Sequence, residues 1–420
     1  MSTEIYGFVR DKFIEYAKIN TRSDIKSDAV PTTPGQVEFQ RVLERDLKEM
    51  GLSEVNYYPA DSYLVAKIAG NENLPKIGFV AHVDTADYES GHVNPQVFPD
   101  YDGSDIQLKN DHCLSISEFP SLKKAVGKTL ITSDGTTLLG TDDKAGIAAT
   151  LGFIKMLEKE NIDHGDIYFA FGPDEEIGKG AKRFDVSHFP VDFCYTLDNG
   201  EVGDIAYETF NAASAEVTIA GVSVHPGEAY NLMVNANLIA HEFIGYLPKD
   251  FTPENSHGYE GFILLHTQES TVDHATLRFI IRSFDTAKFK QLKKLFEDAT
   301  ADLNRKYPGR IKLVLKDQYY SPGDTIKADP YCVNLALRAY DELGITSRIV
   351  PFRGGTDGCF ITEKGIPAPN LFNGGANYHG PYEYVTVEEI VTLSQVIMKI
   401  VQLNATYKGG LTDPLKRALV

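Results

Sequence analysis

Cysteine is scarce in this chain, and its few thiols lie far apart. The 420 residues include only four cysteines and no CxxC pair: Cys113, Cys194, Cys332 and Cys359. This spacing argues against a disulfide framework and against a thiolate metal site. The first twenty residues carry charges throughout, which is typical of an amphipathic helix and not of an export signal. We therefore expect a protein of the reducing cytoplasm.

Long apolar runs and positive charge are also lacking. No run approaches the roughly 18 apolar residues that a membrane span needs, so we expect no membrane segment. The 41 basic residues are outnumbered by 59 acidic ones, for a net charge of -18. This charge would repel phosphate and excludes nucleic acid as a partner. The glycine-rich segment 135–146 has neither a GxGxxG nor a GxxxxGK[ST] pattern, so it does not indicate nucleotide binding.

The length and the apolar pattern predict two domains, because 420 residues exceed one typical domain. The continuous apolar runs 165–176 and 191–198 are typical of central parallel strands that are buried on both faces. Around them, helices alternate with strands as in an α/β fold. The other elements predicted in this pattern are strands at 62–70 and 76–84 and helices at 37–49, 144–160, 330–344 and 387–406.

The middle of the chain follows a different pattern. Its order of predicted elements is strand, helix, two strands, helix, strand, as in a ferredoxin-like sandwich. The segments are 215–225, 236–248, 261–285, 287–308 and 310–320. We therefore predict a discontinuous α/β domain at 1–211 and 324–420, with a second domain inserted at 212–323.

Seven residues with metal-binding or acid–base side chains occur where the α/β segments end. They are His82, Asp84, Asp142, Glu175, Glu176, Asp198 and His379. In parallel sheets, ligands collect beyond the carboxyl ends of the strands. Two imidazoles and several carboxylates suit a pair of zinc, manganese or cobalt ions. A glutamate beside a ligand glutamate is typical of a general base, so the pattern predicts a two-metal hydrolase.

Each of these residues alone also has an ordinary structural explanation. Asp142 precedes a helix and could be its N-cap. Asp198 could form a turn before an Asn-Gly pair. Glu175 and Glu176 would diverge on an extended segment, so that one binds metal while the other faces the attacking water. Only the shared placement of the seven residues at strand ends makes the metal site the better interpretation.

The sequence resembles the M20 family of metallopeptidases over essentially its whole length. The motifs that carry the resemblance are AHVDTAD, GTDDKAGIA, FGPDEEIGKGA, YTLDNGEVG, VHPGEA, VPFRGGTDG and FNGGANYHGPYEYV. Its branch of aminotripeptidases is the most similar one, also outside the metal site, as in residues 91–107. The resemblance implies a discontinuous zinc-exopeptidase-like catalytic domain, with the inserted ferredoxin-like α+β domain as lid and dimerisation surface.

The resemblance also implies how the metal ligands divide. Asp142 would bridge two zinc ions, for which cobalt or manganese could substitute. His82 and Asp198 would complete the site of one ion. Glu176 and His379 would complete the site of the other.

For the residues around the metals, the resemblance implies three further features. Glu175 would be the general base that deprotonates the bridging water and then protonates the leaving amine. Asp84 would orient and polarise His82. The peptide bond between Asp142 and Asp143 would be cis.

Four residues match substrate-binding positions of the family. His225 would stabilise the tetrahedral oxyanion, in its own subunit or across a homodimer formed through the lid. Arg282 and Arg353 would hold the substrate carboxylate, which suits a planar guanidinium. Asn235 is a further match in the same domain. The substrate would then be an unblocked tripeptide that loses its N-terminal residue.

Two other functions remain open at this point. A deacylase or desuccinylase of N-acyl amino acids would use the same metals and differ only in the substrate pocket. A non-catalytic protein that binds partners through acidic loops is the other. The latter should have lost Glu175 or a histidine, and both histidines and Glu175 are present.

Overall fold

The computed structural model describes residues 3–160 and 162–406. No helix in this part of the chain is long and apolar enough to cross a membrane. The helices are, in chain order, α1 (Thr3–Ala17), α2 (Pro34–Glu49), α3 (Thr141–Leu157), α4 (Gly180–Arg183), α5 (Ala236–Ile244), α6 (Thr286–Lys306), α7 (Gly323–Ala328), α8 (Tyr331–Glu342), α9 (Asp357–Glu363) and α10 (Val387–Ala405).

The strands over the same residues form four sheets. They are, in chain order, β1 (Glu54–Tyr58), β2 (Tyr63–Ile68), β3 (Ile77–His82), β4 (Gln96–Phe98), β5 (Ile106–Gln107), β6 (Cys113–Leu114), β7 (Leu130–Thr132), β8 (Ile167–Gly172), β9 (Phe193–Asn199), β10 (Asp204–Ala206), β11 (Asn211–Ala220), β12 (Phe262–Ser270), β13 (His274–Ser283), β14 (Ile311–Tyr319), β15 (Arg348–Ile349), β16 (Asn370–Phe372) and β17 (Tyr384–Thr386).

The largest sheet is mixed, with a parallel centre. Its strand order is β1-β2-β8-β3-β9-β16-β10-β15. Strand β3 pairs in parallel with both β8 and β9, the two strands that the sequence predicts at the centre. Every residue of β3 and β8 is buried, as expected for strands covered on both faces. The parallel centre brings the carboxyl ends of β3, β8 and β9 to one edge of the sheet.

Helix α3 packs on β3 and β9 and lies between α1 and α10. Gly152 allows this close packing. A Cβ atom at this position would lie 2.6 Å from Val9 of α1 and 2.5 Å from the hydroxyl of Ser394 on α10. Because α3 is held on three sides, its first residues occupy a fixed position beside the carboxyl ends of β3 and β9.

Two small sheets were not predicted from the sequence. One has the order β17-β7-β4, and the other pairs β5 with β6. They enclose a separate apolar cluster that includes Tyr101, Leu114, Leu122 and Tyr384. Strands of two or three residues show no readable alternation, which explains why the periodicity missed them.

The inserted unit has the predicted ferredoxin-like topology. Its four antiparallel strands have the order β12-β13-β11-β14. Helices α5 and α6 contribute Phe243 and Phe296 to its core, where they pack against Phe279 of β13. The fold class predicted from the sequence is therefore confirmed.

The chain divides into two compact units. The first comprises the described residues of Met1–Tyr207, Pro322–Val350 and Thr356–Val420; the second comprises Glu208–Ser321 and Pro351–Gly355. The predicted bounds include 351–355 in the α/β domain. In the structure, Phe352 forms a bridge to Thr209 and donates its N–H to the Glu208 carbonyl, so this short segment lies with the inserted unit.

Candidate dinuclear metal centre

The predicted metal ligands of the first unit meet at the carboxyl edge of the large sheet. His82 is the last residue of β3, and Asp198 lies near the end of β9. Glu176 lies in the turn after β8, and Asp142 lies in the first turn of α3. His379 lies in the loop before β17 and has a positive φ of 63°. Residues that are up to about 300 positions apart thus share one site.

Asp142 occupies the middle of the cluster. One carboxylate oxygen, Oδ1, lies 2.8 Å from His82 Nε2. The other, Oδ2, lies 3.1 Å from His379 Nε2. The peptide bond between Asp142 and Asp143 is cis, as the family resemblance implies. By the two distances, Oδ1 and Oδ2 of this one carboxylate face two different imidazoles.

The ligand atoms form two groups that share Asp142. In the first group, His82 Nε2 lies 3.9 Å from Asp198 Oδ2. In the second, His379 Nε2 lies 3.2 Å from Glu176 Oε1. Within each group, all ligand atoms lie within 4.8 Å of one another. His82 is buried, whereas the side chain of His379 is 52% exposed, so the second group is the one open to solvent.

Asp84 supports both His82 and the turn after β8. Its main-chain oxygen lies 3.1 Å from His82 Nδ1, and its Oδ1 lies 3.3 Å from the same nitrogen. Its two carboxylate oxygens accept the N–H groups of Glu175, at 2.9 Å, and of Glu176, at 3.1 Å. Acceptors beside Nδ1 keep a proton there and leave the lone pair of His82 Nε2 for a cation.

Replacing Asp84 by asparagine should weaken metal binding. An amide would turn its NH2 group toward one of the two N–H donors and would lose the charge beside His82. Outer partners of metal ligands typically contribute 10–100-fold in affinity, and we expect a loss of about this size. Chelator competition measures it. Asp166→Asn is the matched control, because this buried carboxylate accepts the N–H of Gly70 elsewhere in the unit; equal losses in both variants would contradict the assignment.

The sequence predicts Glu175 and Glu176 on an extended segment, and this prediction is wrong. They lie in a turn that the hydrogen bond from Gly178 N–H to the Glu175 carbonyl closes at 2.7 Å. Asp174 enters this turn with a φ of 56°. The turn still separates the two side chains. Glu176 faces His379, whereas the carboxylate of Glu175 has no hydrogen-bond partner among the described residues.

The buried carboxylates beside the cluster that were not predicted from the sequence include Asp174 and Glu383. Asp174 is fully buried. Its carboxylate accepts hydrogen bonds from the main chain of Thr32, from Gln36 Nε2 and from Arg183. These contacts fix the start of the turn that carries Glu176. A sequence signal existed in PDEE, but Thr32 and Gln36 lie more than 130 residues away and could not be identified as partners.

Several carboxylates of the cluster are buried close together, and this raises their pKa values. Burial and repulsion by Asp142 raise the pKa of Glu176 to about 7. Burial and the same neighbour also raise the pKa of Asp198 well above its ordinary value. Burial similarly raises the pKa of Glu175. Buried carboxylates of this kind require protons or cations to compensate them.

The imidazoles provide that compensation in the metal-free chain. The hydrogen bond with Asp142 and the nearby carboxylate of Glu176 raise the pKa of His379 to about 10. Burial alone would lower the pKa of His82, but hydrogen bonds to Asp142 and Asp84 raise it well above its ordinary value. Burial would raise the pKa of Asp142, yet its hydrogen bonds with His379 and His82 lower it. Protonated imidazoles thus neutralise the carboxylates in the metal-free chain, as metal cations can do when bound.

An unpaired carboxylate oxygen also indicates that the site suits a metal ion. Glu176 Oε1 is buried and has no hydrogen-bond partner, because the nearby His379 Nε2 is directed at Asp142. Such an unpaired buried oxygen needs a positive partner. Imidazole nitrogens and carboxylate oxygens, without a thiolate, match zinc, manganese or cobalt.

Two predicted substrate residues of the second unit have local partners. Nδ1 of the exposed His225 accepts the N–H of Gly227 at 3.2 Å, which places the proton of a neutral ring on Nε2. Asn235 is the N-cap of α5, and its side-chain oxygen accepts the N–H of Asn237 at 3.0 Å. The side chain of Asn235 therefore has a structural role of its own.

The two predicted arginines also lie in the second unit. Arg282 on β13 donates to the carbonyls of Ala213 and Ile281 and lies over the ring of Tyr319. Burial lowers its pKa. Arg353 donates to the carbonyls of Gly258 and Glu260 and to Ser256, and lies over the ring of Phe210. Arg353 thus connects segment 351–355 with the loop before β12.

The parallel sheet edge and the two ligand groups define a metallohydrolase with a candidate dinuclear centre. The chain belongs to peptidase family M20/M25/M40, whose model matches residues 132–403. It is 46% identical over 412 residues to a protein described as peptidase T from Fusobacterium nucleatum subsp. nucleatum, and the match covers 96% of this chain and 100% of that relative. The resemblance found in the sequence is therefore confirmed, and the protein is a hydrolase.

Solved structures show the same fold. The aminopeptidase PepT of Bacillus cereus ATCC 10987 superimposes with a TM-score of 0.77 at 24% identity, over 96% of this chain and 99% of that one. The YXEP protein of Bacillus subtilis, described as a dinuclear metal binding peptidase from the M20 family, gives a TM-score of 0.67 at 16% identity, over 96% of this chain and 98% of that one.

Proposed function

We propose that this protein is a zinc-dependent aminotripeptidase that removes the N-terminal residue from unblocked tripeptides. Membership of the peptidase family and the full-length similarity to a protein described as peptidase T support the reaction and its substrate. One structural observation carries the proposal. The two carboxylate oxygens of Asp142 face the imidazoles of two separate ligand groups.

Each of the two ligand groups would hold one zinc ion. His82 and Asp198 would hold one ion, Glu176 and His379 the other, and Asp142 would be shared. Cobalt or manganese suits the same donors. When bound, two such cations lower the pKa of water and polarise a carbonyl group.

Glu175 would move the proton. Its carboxylate is half-buried, has no hydrogen-bond partner among the described residues, and has a pKa that burial raises. A base of raised pKa can take a proton from the attacking water and return it to the nitrogen of the leaving amine. Asp84 would position this base, because it accepts the N–H of Glu175 and contacts His82.

The inserted unit would act as lid and substrate-binding domain. Because Nδ1 of His225 accepts the N–H of Gly227, its Nε2 can donate to the oxyanion that forms on the substrate carbonyl. Arg282 and Arg353 would hold the substrate carboxylate, with Asn235 as a further contact. The exposed apolar side chains of Tyr230 and Leu232, 89% and 59% exposed, support a homodimer through this unit, in which His225 could serve either subunit.

Replacing His225 by alanine should lower kcat far more than it changes zinc binding. One oxyanion donor typically contributes about 10²–10³ in kcat, and we expect a loss in this range. Steady-state kinetics with zinc analysis of the same samples measures both quantities. His266→Ala, an exposed histidine on β12 of the same unit, is the control. A parallel loss of zinc in the His225 variant would contradict the lid role.

The proposed function is tested by hydrolysis of one unblocked tripeptide beside its dipeptide, tetrapeptide and N-acetylated counterparts. The chain is first freed of metal with a chelator and then supplied with zinc or cobalt. We expect metal-dependent release of the N-terminal residue from the free tripeptide alone.

The four cysteines are free thiols, which suits an enzyme of the cytoplasm. The assay is therefore run under reducing conditions.

Each other result would change the assignment. Metal-dependent activity on the acetylated compound alone would make the protein a deacylase with the same metal centre. Equal activity on dipeptide, tripeptide and tetrapeptide would remove the specificity for three residues. Absence of activity on all four compounds, with metal bound, would overturn the substrate class.

A further inference from the structure

Glu383 is a buried carboxylate four residues after His379, and only 1% of its surface is exposed. Its two oxygens accept four consecutive main-chain N–H groups, those of Leu139 (2.8 Å), Gly140 (3.0 Å), Thr141 (2.6 Å) and Asp142 (3.4 Å). The segment that donates these hydrogen bonds also presents the carboxylate of Asp142. One side chain thus holds the main chain of residues 139–142, which ends at the shared ligand Asp142.

Glu383 is itself held in a rigid setting. The next residue, Tyr384, begins β17 and exchanges two main-chain hydrogen bonds with Ala376, at 2.9 and 3.1 Å. These bonds close the loop 376–384, which carries His379. The two ends of the loop are therefore fixed, and the side chain of Glu383 extends from there to the segment 139–142.

A second contact holds the same two segments together. A Cβ atom at Gly375 would lie 2.4 Å from the Thr141 methyl group, so only glycine allows this close approach. The loop that carries His379 therefore lies directly against the residue before Asp142. Glu383 adds polar connections where Gly375 supplies close packing.

We propose that Glu383 is a positioning residue that sets Asp142 against His379 and thereby tunes the affinity of the metal centre. The inference rests on the proposed function, because it assumes that these two residues bind metal. Four donors in a row need an acceptor with two oxygens, and a carboxylate supplies both. A side chain without a carboxylate leaves buried N–H groups unpaired and releases the Asp142 segment.

The test compares Glu383→Gln and Glu383→Asp with the wild type by binding of Co²⁺ to metal-free protein. Chelator competition measures affinity, and visible absorption measures the ligand geometry of bound cobalt. Glutamine places an NH2 group against two of the donors, whereas aspartate keeps both oxygens but is shorter. We expect affinity to fall about 10–100-fold in Glu383→Gln, with an altered cobalt spectrum, and less in Glu383→Asp.

Glu388→Gln is the matched control. Its carboxylate accepts the N–H of Thr129 and the hydroxyl of Tyr6, and it belongs to neither ligand group. We expect wild-type affinity and spectrum in this variant, even where thermal unfolding shows a loss of stability. A purely structural role of Glu383 would lower the unfolding temperature and leave the cobalt spectrum unchanged.

The outcomes separate the inference from the proposed function. Wild-type protein that binds no cobalt would overturn the metal centre itself. Wild-type protein that binds cobalt, with unchanged affinity and spectrum in Glu383→Gln, would overturn the role of Glu383 alone. If Glu383→Gln does not fold by circular dichroism, Glu383→Asp decides: a weaker affinity and a shifted spectrum support the role, and wild-type values contradict it.

Discussion

Replacing Glu175 by glutamine is expected to lower kcat for tripeptide hydrolysis by about 10³-fold, within the range of 10²–10⁴ usual for general acid–base groups. Glutamine has nearly the same shape but cannot accept the proton of the attacking water. The side chain of Glu175 has no hydrogen bond to lose among the described residues, so the local structure should remain. Zinc content should also remain, because Glu175 belongs to neither ligand group.

The measurement is steady-state kinetics at saturating zinc, with metal content determined on the same samples. Glu158→Gln, at the other end of α3, is the control and should behave as the wild type. A variant of Glu175 that retains more than a tenth of the wild-type kcat would contradict the role of general base. A variant that loses zinc and activity together would instead place Glu175 among the ligands.

Replacing Asp142 by alanine is expected to empty both metal groups and to lower activity at least about 10³-fold. Asp142 supplies an oxygen to each group, so its loss affects two sites at once. Metal ions contribute several kcal/mol to catalysis of this type, and about 1.4 kcal/mol corresponds to a tenfold change in rate. The loss of activity should therefore not be recovered by more zinc at ordinary concentrations.

Asp198→Ala is the informative comparison, because Asp198 belongs only to the group that contains His82. Zinc per chain after equilibrium dialysis should approach none in Asp142→Ala and one in Asp198→Ala. One zinc ion per chain in both variants would contradict the sharing of Asp142.

Much of the fold could be predicted because the signals were local. The apolar runs that became β8 and β9 showed strands buried on both faces, and the order of elements in the middle of the chain predicted the ferredoxin-like unit. The same runs ended in the acids of the site. Placing Glu176 and Asp198 at strand ends was therefore enough to expect them near His82, before any distance was known.

The rest depended on contacts between distant parts of the chain. Asp174 and Glu383 meet partners that are more than 130 and 240 residues away, and nothing near them in the sequence indicates this. The turn at Glu175 follows from the positive φ of Asp174, which non-glycine residues adopt rarely. Segment 351–355 joins the inserted unit through bonds of Arg353 and Phe352, which no periodicity shows.

The most direct test of the metal centre is anomalous diffraction from crystals of the zinc-loaded protein at the zinc absorption edge. Two peaks are expected about 3.5–4 Å apart, one beside Asp142 Oδ1 with His82 and Asp198, and one beside Asp142 Oδ2 with His379 and Glu176. A single peak, or two peaks that do not share Asp142, would contradict the dinuclear centre.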